Sequence, residues 1–107
     1  MVGMEDFTVT APLWRWRSAT GPAVWHFLTI GGEAADGIRL AALGGQWLDG
    51  RRGFGSAKVR ATIGDTRWNT SVFPHRESGG WLLPVKATVR KAEELAEGDA
   101  VTVTVSL

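Results

Sequence analysis

Two alternating runs joined by a Gly-Asp turn constrain the fold of this chain most strongly. Residues 56–63 (SAKVRATI) and 67–73 (RWNTSVF) alternate between apolar and polar side chains, which places one set on each face of a strand. Gly64 and Asp65 lie between them and favour the tight turn of a β-hairpin. The sequence therefore predicts an antiparallel hairpin over residues 56–73 and a sheet built around it.

The same alternation recurs towards both ends of the chain and predicts further strands. Residues 7–17 (FTVTAPLWRWR) alternate in two patterns offset around a central Ala-Pro pair, which is typical of one strand with a kink or bulge. Residues 23–30 are rich in aromatic and β-branched side chains, and residues 99–107 alternate throughout. A short strand is predicted at residues 81–83.

Two other segments show helical spacing of their apolar residues. In residues 33–43 the apolar positions recur at helical intervals and Gly37 weakens the pattern, so a short helix is predicted that ends at a Gly-Gly pair. From Pro84 a second helix is predicted over residues 85–96, because proline suits a first helical turn. Gly98 stands where a left-handed helix cap is expected.

Length and composition favour one folded domain over residues 1–107. A chain of 107 residues has room for a single hydrophobic core, and its 44% apolar and 21% charged residues are ordinary for a globular protein. The fold class predicted is mainly β, a small closed or partly open barrel of about six strands with one or two short helices.

Charge and cysteine content exclude several kinds of function. The formal net charge of +1 gives no overall field that would attract nucleic acid or anionic lipid. The absence of cysteine excludes disulfides, thiolate metal sites and cysteine nucleophiles. The acidic N-terminal segment does not resemble a signal peptide and no run reaches the length of a membrane span, so a cytoplasmic location without membrane contact is expected.

A longer pattern carries a resemblance to known families. The segment WLLPVKATVRKAEELAEGDAVTVTV resembles the Gly-Asp box of AbrB-like cradle-loop barrels. Together with WHFLTI, GFGSAKVRATIGDTRW and NTSVFP, it makes the chain similar to DUF1905, a family of bacterial domains of unknown function. That resemblance implies a small β-barrel with no assigned activity, and the remoter AbrB similarity implies DNA binding by analogy alone.

The basic pair Lys86 and Arg90 is the first candidate binding feature. Residues four apart lie on one face of a helix, and a cation in the first turn is disfavoured by the helix dipole, so an anion facing both would compensate. We predict a polar groove in which Trp68, Ser71, Lys86 and Arg90 contact a small anionic or peptide-like ligand. The alternative is structural: Arg90 pairs with a carboxylate of its own helix, and Lys86 pairs with a carboxylate elsewhere in the fold or faces water.

The six tryptophans divide by context. Trp25, Trp68 and Trp81 lie in predicted strands and are expected to be buried. Trp14 and Trp16 share one strand face and alternate with two arginines, which permits either a stacking platform for bases or flat ligands or a buried face with a basic solvent side. Simple alternation favours the buried face.

Other chemistry-bearing residues are weaker candidates. Arg51 and Arg52 lie in a glycine-rich segment (GQWLDGRRGFG) that could approach a phosphate, but it lacks the Walker lysine and serine, and a turn is the favoured interpretation. Ser71, His75 and Asp65 supply the residue types of a hydrolytic triad without its sequence context. Two histidines without carboxylates at ligand spacing give no reason to expect a metal or other cofactor.

Three functions remain open at this stage. The favoured one is a non-enzymatic binding module, monomeric or homodimeric, for the small ligand described above. The second is a nucleic-acid-binding domain that uses the arginines of the first strand and the glycine-rich segment, and the third is an enzyme of unknown class with no assigned catalytic residues. Arginines that form a contiguous surface would favour nucleic acid, and arginines paired to acids would favour the small ligand.

Overall fold

The computed structural model describes residues 6–49 and 56–107, with side chains for 6–41 and 56–107. In this part of the chain there are seven strands and two helices. In chain order they are β1 (Asp6–Pro12), β2 (Trp14–Arg17), β3 (Val24–Ile30), α1 (Gly32–Asp49), β4 (Ala57–Ile63), β5 (Thr66–His75), β6 (Gly80–Pro84), α2 (Ala87–Ala92) and β7 (Ala100–Ser106).

The strands form one antiparallel sheet in the order β1-β7-β4-β5-β6-β3-β2. The whole of β4 pairs with residues 66–72 of β5 on either side of the predicted turn, where Gly64 adopts φ 58°. β7 lies in the same sheet, between β1 and β4. The sheet curls into a half-barrel, so the mainly β class, the hairpin and the C-terminal strand are confirmed.

The first predicted strand is in fact two strands, which raises the number from about six to seven. β1 pairs with β7 and β2 pairs with β3, at opposite ends of the sheet order. Leu13 separates them: its side chain is 1% exposed, its amide donates to Asp99 O at 2.9 Å, and its carbonyl accepts from the Gly98 amide at 2.7 Å. The chain crosses from one edge to the other because this apolar residue is held in the core.

Inward-facing apolar side chains from the strands and from both helices fill the half-barrel. Val101, Val103 and Val105 alternate with exposed or half-buried neighbours on β7, as a strand with one buried face requires. The buried set is Leu13, Leu28, Ile30, Ala34, Ala35, Ile38, Val59, Ala61, Ile63, Trp68, Val72, Trp81, Leu83, Val85, Val89, Val101, Val103 and Val105.

Helix α1 extends beyond the predicted residues 33–43, through the Gly-Gly pair to Asp49. Glycine lowers helix stability by only about 1 kcal/mol, so a helix supported by packing can continue through it. Gly37 has a packing reason of its own, since a Cβ there would overlap the Phe7 ring of β1. Arg51 and Arg52 lie outside the described residues.

The second helix is shorter than predicted and begins later. Pro84 ends β6 instead of opening the helix, and the following amide, that of Val85, donates to His26 O at 2.9 Å. The left-handed residue that ends α2 is Glu94, at φ 55°, with a Leu95 amide to Arg90 carbonyl bond of 2.8 Å that is typical of a Schellman cap. Gly98 has the predicted positive φ, 93°, but lies in the loop before β7, so its predicted role as helix cap was wrong.

Candidate functional site

The four residues of the predicted groove lie in different parts of the molecule. Trp68 is 9% exposed, in the core on the inner face of β5. Ser71, an odd number of positions further along, lies on the outer face of the same strand, because successive strand residues face opposite ways. Lys86 and Arg90 do come together, at a separate pocket beside α2. The tertiary structure therefore groups two of the four.

The pocket beside α2, called here the cationic pocket, has a volume of about 240 Å³. Lys86 is exposed at its rim and Arg90 is half-buried. Arg90 Nε donates to the Val85 carbonyl at 3.1 Å, which fixes the guanidinium against β6 and α2. The pocket is lined by Val24, Trp25, His26, Pro84, Val85, Lys86, Ala87 and Arg90.

His26 forms a wall of the cationic pocket and has an unusual environment. Its Nδ1 atom is buried and has no hydrogen-bond partner in the described part of the chain. Burial, followed by the nearby Arg90 and Arg15 charges, lowers the pKa of His26 below its usual 6.5, while Glu97 opposes that shift. The charges around the imidazole are therefore mainly positive, which favours its neutral form.

Carboxylate pairing separates the two interpretations of Lys86 and Arg90. The ion pairs within residues 6–41 and 56–107 join Arg15 to Glu97 and Arg39 to Asp36, and His75 Nε2 also lies 3.7 Å from Glu77 Oε1. Lys86 and Arg90 belong to none of them. The carboxylate partner that the structural alternative requires for Arg90 is thus not seen in the described part of the chain, while the exposed Lys86 is compatible with the form of that alternative in which it faces water.

A second depression lies on the outer face of the sheet, across β2, β3, β5 and β6. We call it the aromatic groove; its volume is about 720 Å³. Three of its apolar side chains are strongly exposed: Trp25 at 51%, Trp16 at 44% and Phe73 at 44%. The groove is lined by Trp14, Trp16, Trp25, Phe27, Phe73, His75, Arg76, Glu77 and Leu82.

Strand pairing brings these rings together. Trp14 lies opposite Phe27 and Trp16 opposite Trp25 in the β2–β3 ladder, so all four project from one face. The Trp14 and Phe27 ring centroids are 5.2 Å apart, and Trp25 and Phe27 lie 6.2 Å apart with their planes only 7° from parallel. Trp14 Nε1 donates to Thr29 Oγ1 at 2.9 Å, which fixes the orientation of that indole.

The prediction that Trp25 is buried was wrong, while Trp68 and Trp81 are buried as predicted. Leu28 and Ile30 carry the inner face of β3, so the odd-numbered positions of this strand face outwards. Trp16 likewise lies on the outer face, which contradicts the favoured interpretation of WRWR as a buried tryptophan side. Alternation alone identifies two faces and does not say which one meets the core.

Ser71 belongs to a third depression, of about 510 Å³, on the outer face of β4 and β5. It lies opposite Lys58, and Asn69 opposite Arg60, in the β4–β5 ladder. The triad hypothesis finds no support in this arrangement, since His75 Nδ1 is 2.8 Å from Ser78 Oγ. The described residues contain no group of three or more His, Asp or Glu placed to hold a metal ion.

The fold defines a mainly β half-barrel protein, and comparison of its sequence places it in a family. Residues 10–105 match the family model described as Domain of unknown function (DUF1905). Because the match covers nearly the whole chain, the protein belongs to this family, as its resemblance suggested. A search of curated proteins gives no match. None of the helices described is long and apolar enough to cross a membrane.

Proposed function

We propose that this protein is a non-enzymatic binding module whose cationic pocket takes a small anion, such as a phosphate or carboxylate group. The observation that carries the proposal is the pairing pattern: Lys86 and Arg90 line one pocket and neither is paired to a carboxylate in the described part of the chain. Like charges held close together repel, so an anion between them would be stabilising.

Hydrogen-bond donors are available for an oxyanion. Arg90 uses Nε to bond the Val85 carbonyl, and its terminal amino groups make no hydrogen bond to the described residues. A guanidinium presents donors in a planar fork that matches carboxylate and phosphate oxygens. A volume of about 240 Å³ lies below the usual range for drug-sized ligands and suits a small anion.

Thermal melts with and without phosphate, at fixed ionic strength, test this function. Phosphate at about 100 times its dissociation constant should stabilise the wild type by about 2.7 kcal/mol. The double variant K86Q/R90Q should lose the phosphate response. In the absence of phosphate its stability should change little, since relief of the mutual repulsion offsets the loss of the Arg90 Nε bond to the Val85 carbonyl.

Lys91→Gln is the matched control, because Lys91 is an exposed cation of α2 that does not line the pocket. It should retain the full phosphate response. A wild type indifferent to phosphate, together with a clearly destabilised double variant, would contradict the proposal and assign Lys86 and Arg90 a structural role.

The nucleic-acid hypothesis in its original form has less support. Of the first-strand arginines, Arg15 is paired with Glu97, with Nε 3.5 Å from Oε1, and faces away from Trp14 and Trp16. Arg17, the other arginine of that strand, is exposed and forms none of the ion pairs of the described residues. Arg51 and Arg52 lie outside the described residues.

A further inference from the structure

We propose that the aromatic groove and the basic residues beside it bind single-stranded nucleic acid, with bases on the rings and phosphates along Lys58, Arg60 and Arg67. This surface lies on the outer face of the sheet. Trp25 also lines the cationic pocket, but the charged residues of the two sites differ, so either proposal can fail without the other.

The aromatic groove has the properties of a stacking surface. Trp16 and Trp25 leave about half of their surface accessible, although indoles bury a large apolar area when they can. Neighbouring rings are held by strand pairing and by the Trp14 indole hydrogen bond, so little conformational freedom would be lost on binding. Every unpaired base has a flat face that can stack on such rings.

Cross-strand pairing also assembles the basic residues. On the outer face of β4 and β5, Lys58 lies opposite Ser71, Arg60 opposite Asn69, and Arg67 opposite Thr62. Lys58, Arg60 and Arg67 are exposed and take part in none of the ion pairs of the described residues.

The charge on this surface favours an anionic partner. No acidic residue occupies an outward position of β4 or β5, so three positive charges stand together in a chain whose formal net charge is +1. Of the residues that line the aromatic groove, Glu77 is the only acid, and its Oε1 lies 3.7 Å from His75 Nε2.

The two parts of the surface are continuous because β5 belongs to both. Its outer face carries Arg67, Asn69 and Ser71, followed by Phe73 and His75. Arg67 and Phe73 are separated by about 20 Å of strand at ~3.3 Å per residue, enough for several nucleotides. A partner with both flat apolar groups and regularly spaced negative charges fits this arrangement, and a duplex would not expose its base faces to the rings.

Fluorescence anisotropy with a labelled oligothymidylate of about 12 nucleotides, measured over a series of salt concentrations, tests the proposal. The wild type should bind with an affinity that falls as salt rises, at a slope of about −0.7 per phosphate contact in logarithmic units. The variant R60Q/R67Q should make that slope shallower by about 1.4. The variant W16A/W25A should bind about 30-fold or more weakly with the slope retained.

Leu40→Ala is the matched control for loss of an exposed apolar side chain, since Leu40 is 71% exposed on α1; it should bind like the wild type. The variant K86Q/R90Q should also keep its oligonucleotide affinity, which separates this surface from the anion pocket. A wild type that does not bind, or that binds without salt dependence, would overturn the proposal whatever the variants do. Unchanged oligonucleotide binding by a folded W16A/W25A variant would also overturn the proposal. Sedimentation that shows a dimer joined through these rings would overturn it in favour of a contact between two copies of the chain.

Discussion

The inner-face and outer-face tryptophans of the half-barrel are the same residue type in strands of the same sheet, yet their surroundings differ. Trp68 and Trp81 are 9% and 6% exposed, whereas Trp16 and Trp25 are 44% and 51% exposed. Trp81 also donates from Nε1 to the Ala35 carbonyl at 3.2 Å, so helix α1 covers it and satisfies its polar atom. The inner pair supports the core, while the outer pair is available for binding.

Removal of an inner tryptophan should produce the largest stability loss. Trp81→Ala is expected to lower the free energy of unfolding by about 3–5 kcal/mol, since it leaves a cavity in the core. Trp25→Ala is the matched outer-face control and should cost about 1 kcal/mol or less. Urea unfolding at neutral pH measures both, and equal losses at the two positions would contradict the division into core and exposed tryptophans.

The Gly98→Ala variant tests whether packing alone determines how much a substitution lowers the free energy of unfolding. A Cβ there would meet no atom within 4 Å, so packing predicts no loss for Gly98→Ala. Its φ of 93° instead predicts a loss of about 1 kcal/mol, because residues with a Cβ disfavour positive φ. Gly31→Ala is the control, since Gly31 has equally open space without a positive φ. If both variants melt at the wild-type temperature, the backbone argument fails.

The His26→Gln variant tests the inner-face histidine that lines the cationic pocket. Its effect on stability should be the smallest of the effects predicted here. The pKa of His26 is lower in the folded protein than in the unfolded chain, because of burial and the Arg90 and Arg15 charges, so the unfolded chain binds more protons near pH 6. Stability should therefore fall as pH drops below about 6.5. His26→Gln should reduce the stability difference between pH 7.5 and pH 6, measured by urea unfolding; an unchanged difference would contradict the environment described here.

Most of the local structure could be predicted, because local patterns carry it. The hairpin over residues 56–73, the strand over 23–30 and the C-terminal strand depend on alternation and turn residues close in sequence. The break at Leu13 and the strand character of Pro84 depend on partners far along the chain. Tertiary packing overrides local preference at those points.

The candidate site residues also divide into those that local sequence spacing placed correctly and those that depend on the tertiary structure. Four-residue spacing was the basis for placing Lys86 and Arg90 on one side, and they do line one pocket. Trp68 and Ser71 do not share a groove, and their odd spacing on one strand, which is visible in the sequence, already places their side chains on opposite faces. Only WRWR indicated the aromatic groove in the sequence, because its rings come from three strands, β2, β3 and β5.

The sequence by itself determined that this chain is mainly β and where most of its strands lie. Those properties depend on neighbours within a few residues. Only the tertiary structure decided that the Trp16 and Trp25 face is the outer one, because burial depends on which face of the curled sheet the other strands and α1 cover. Alternation identifies two faces of a strand but not which of them is buried. The pairing of β2 with β3 and of β3 with β6 places these strands in the curled sheet, where one face is covered and the other is not.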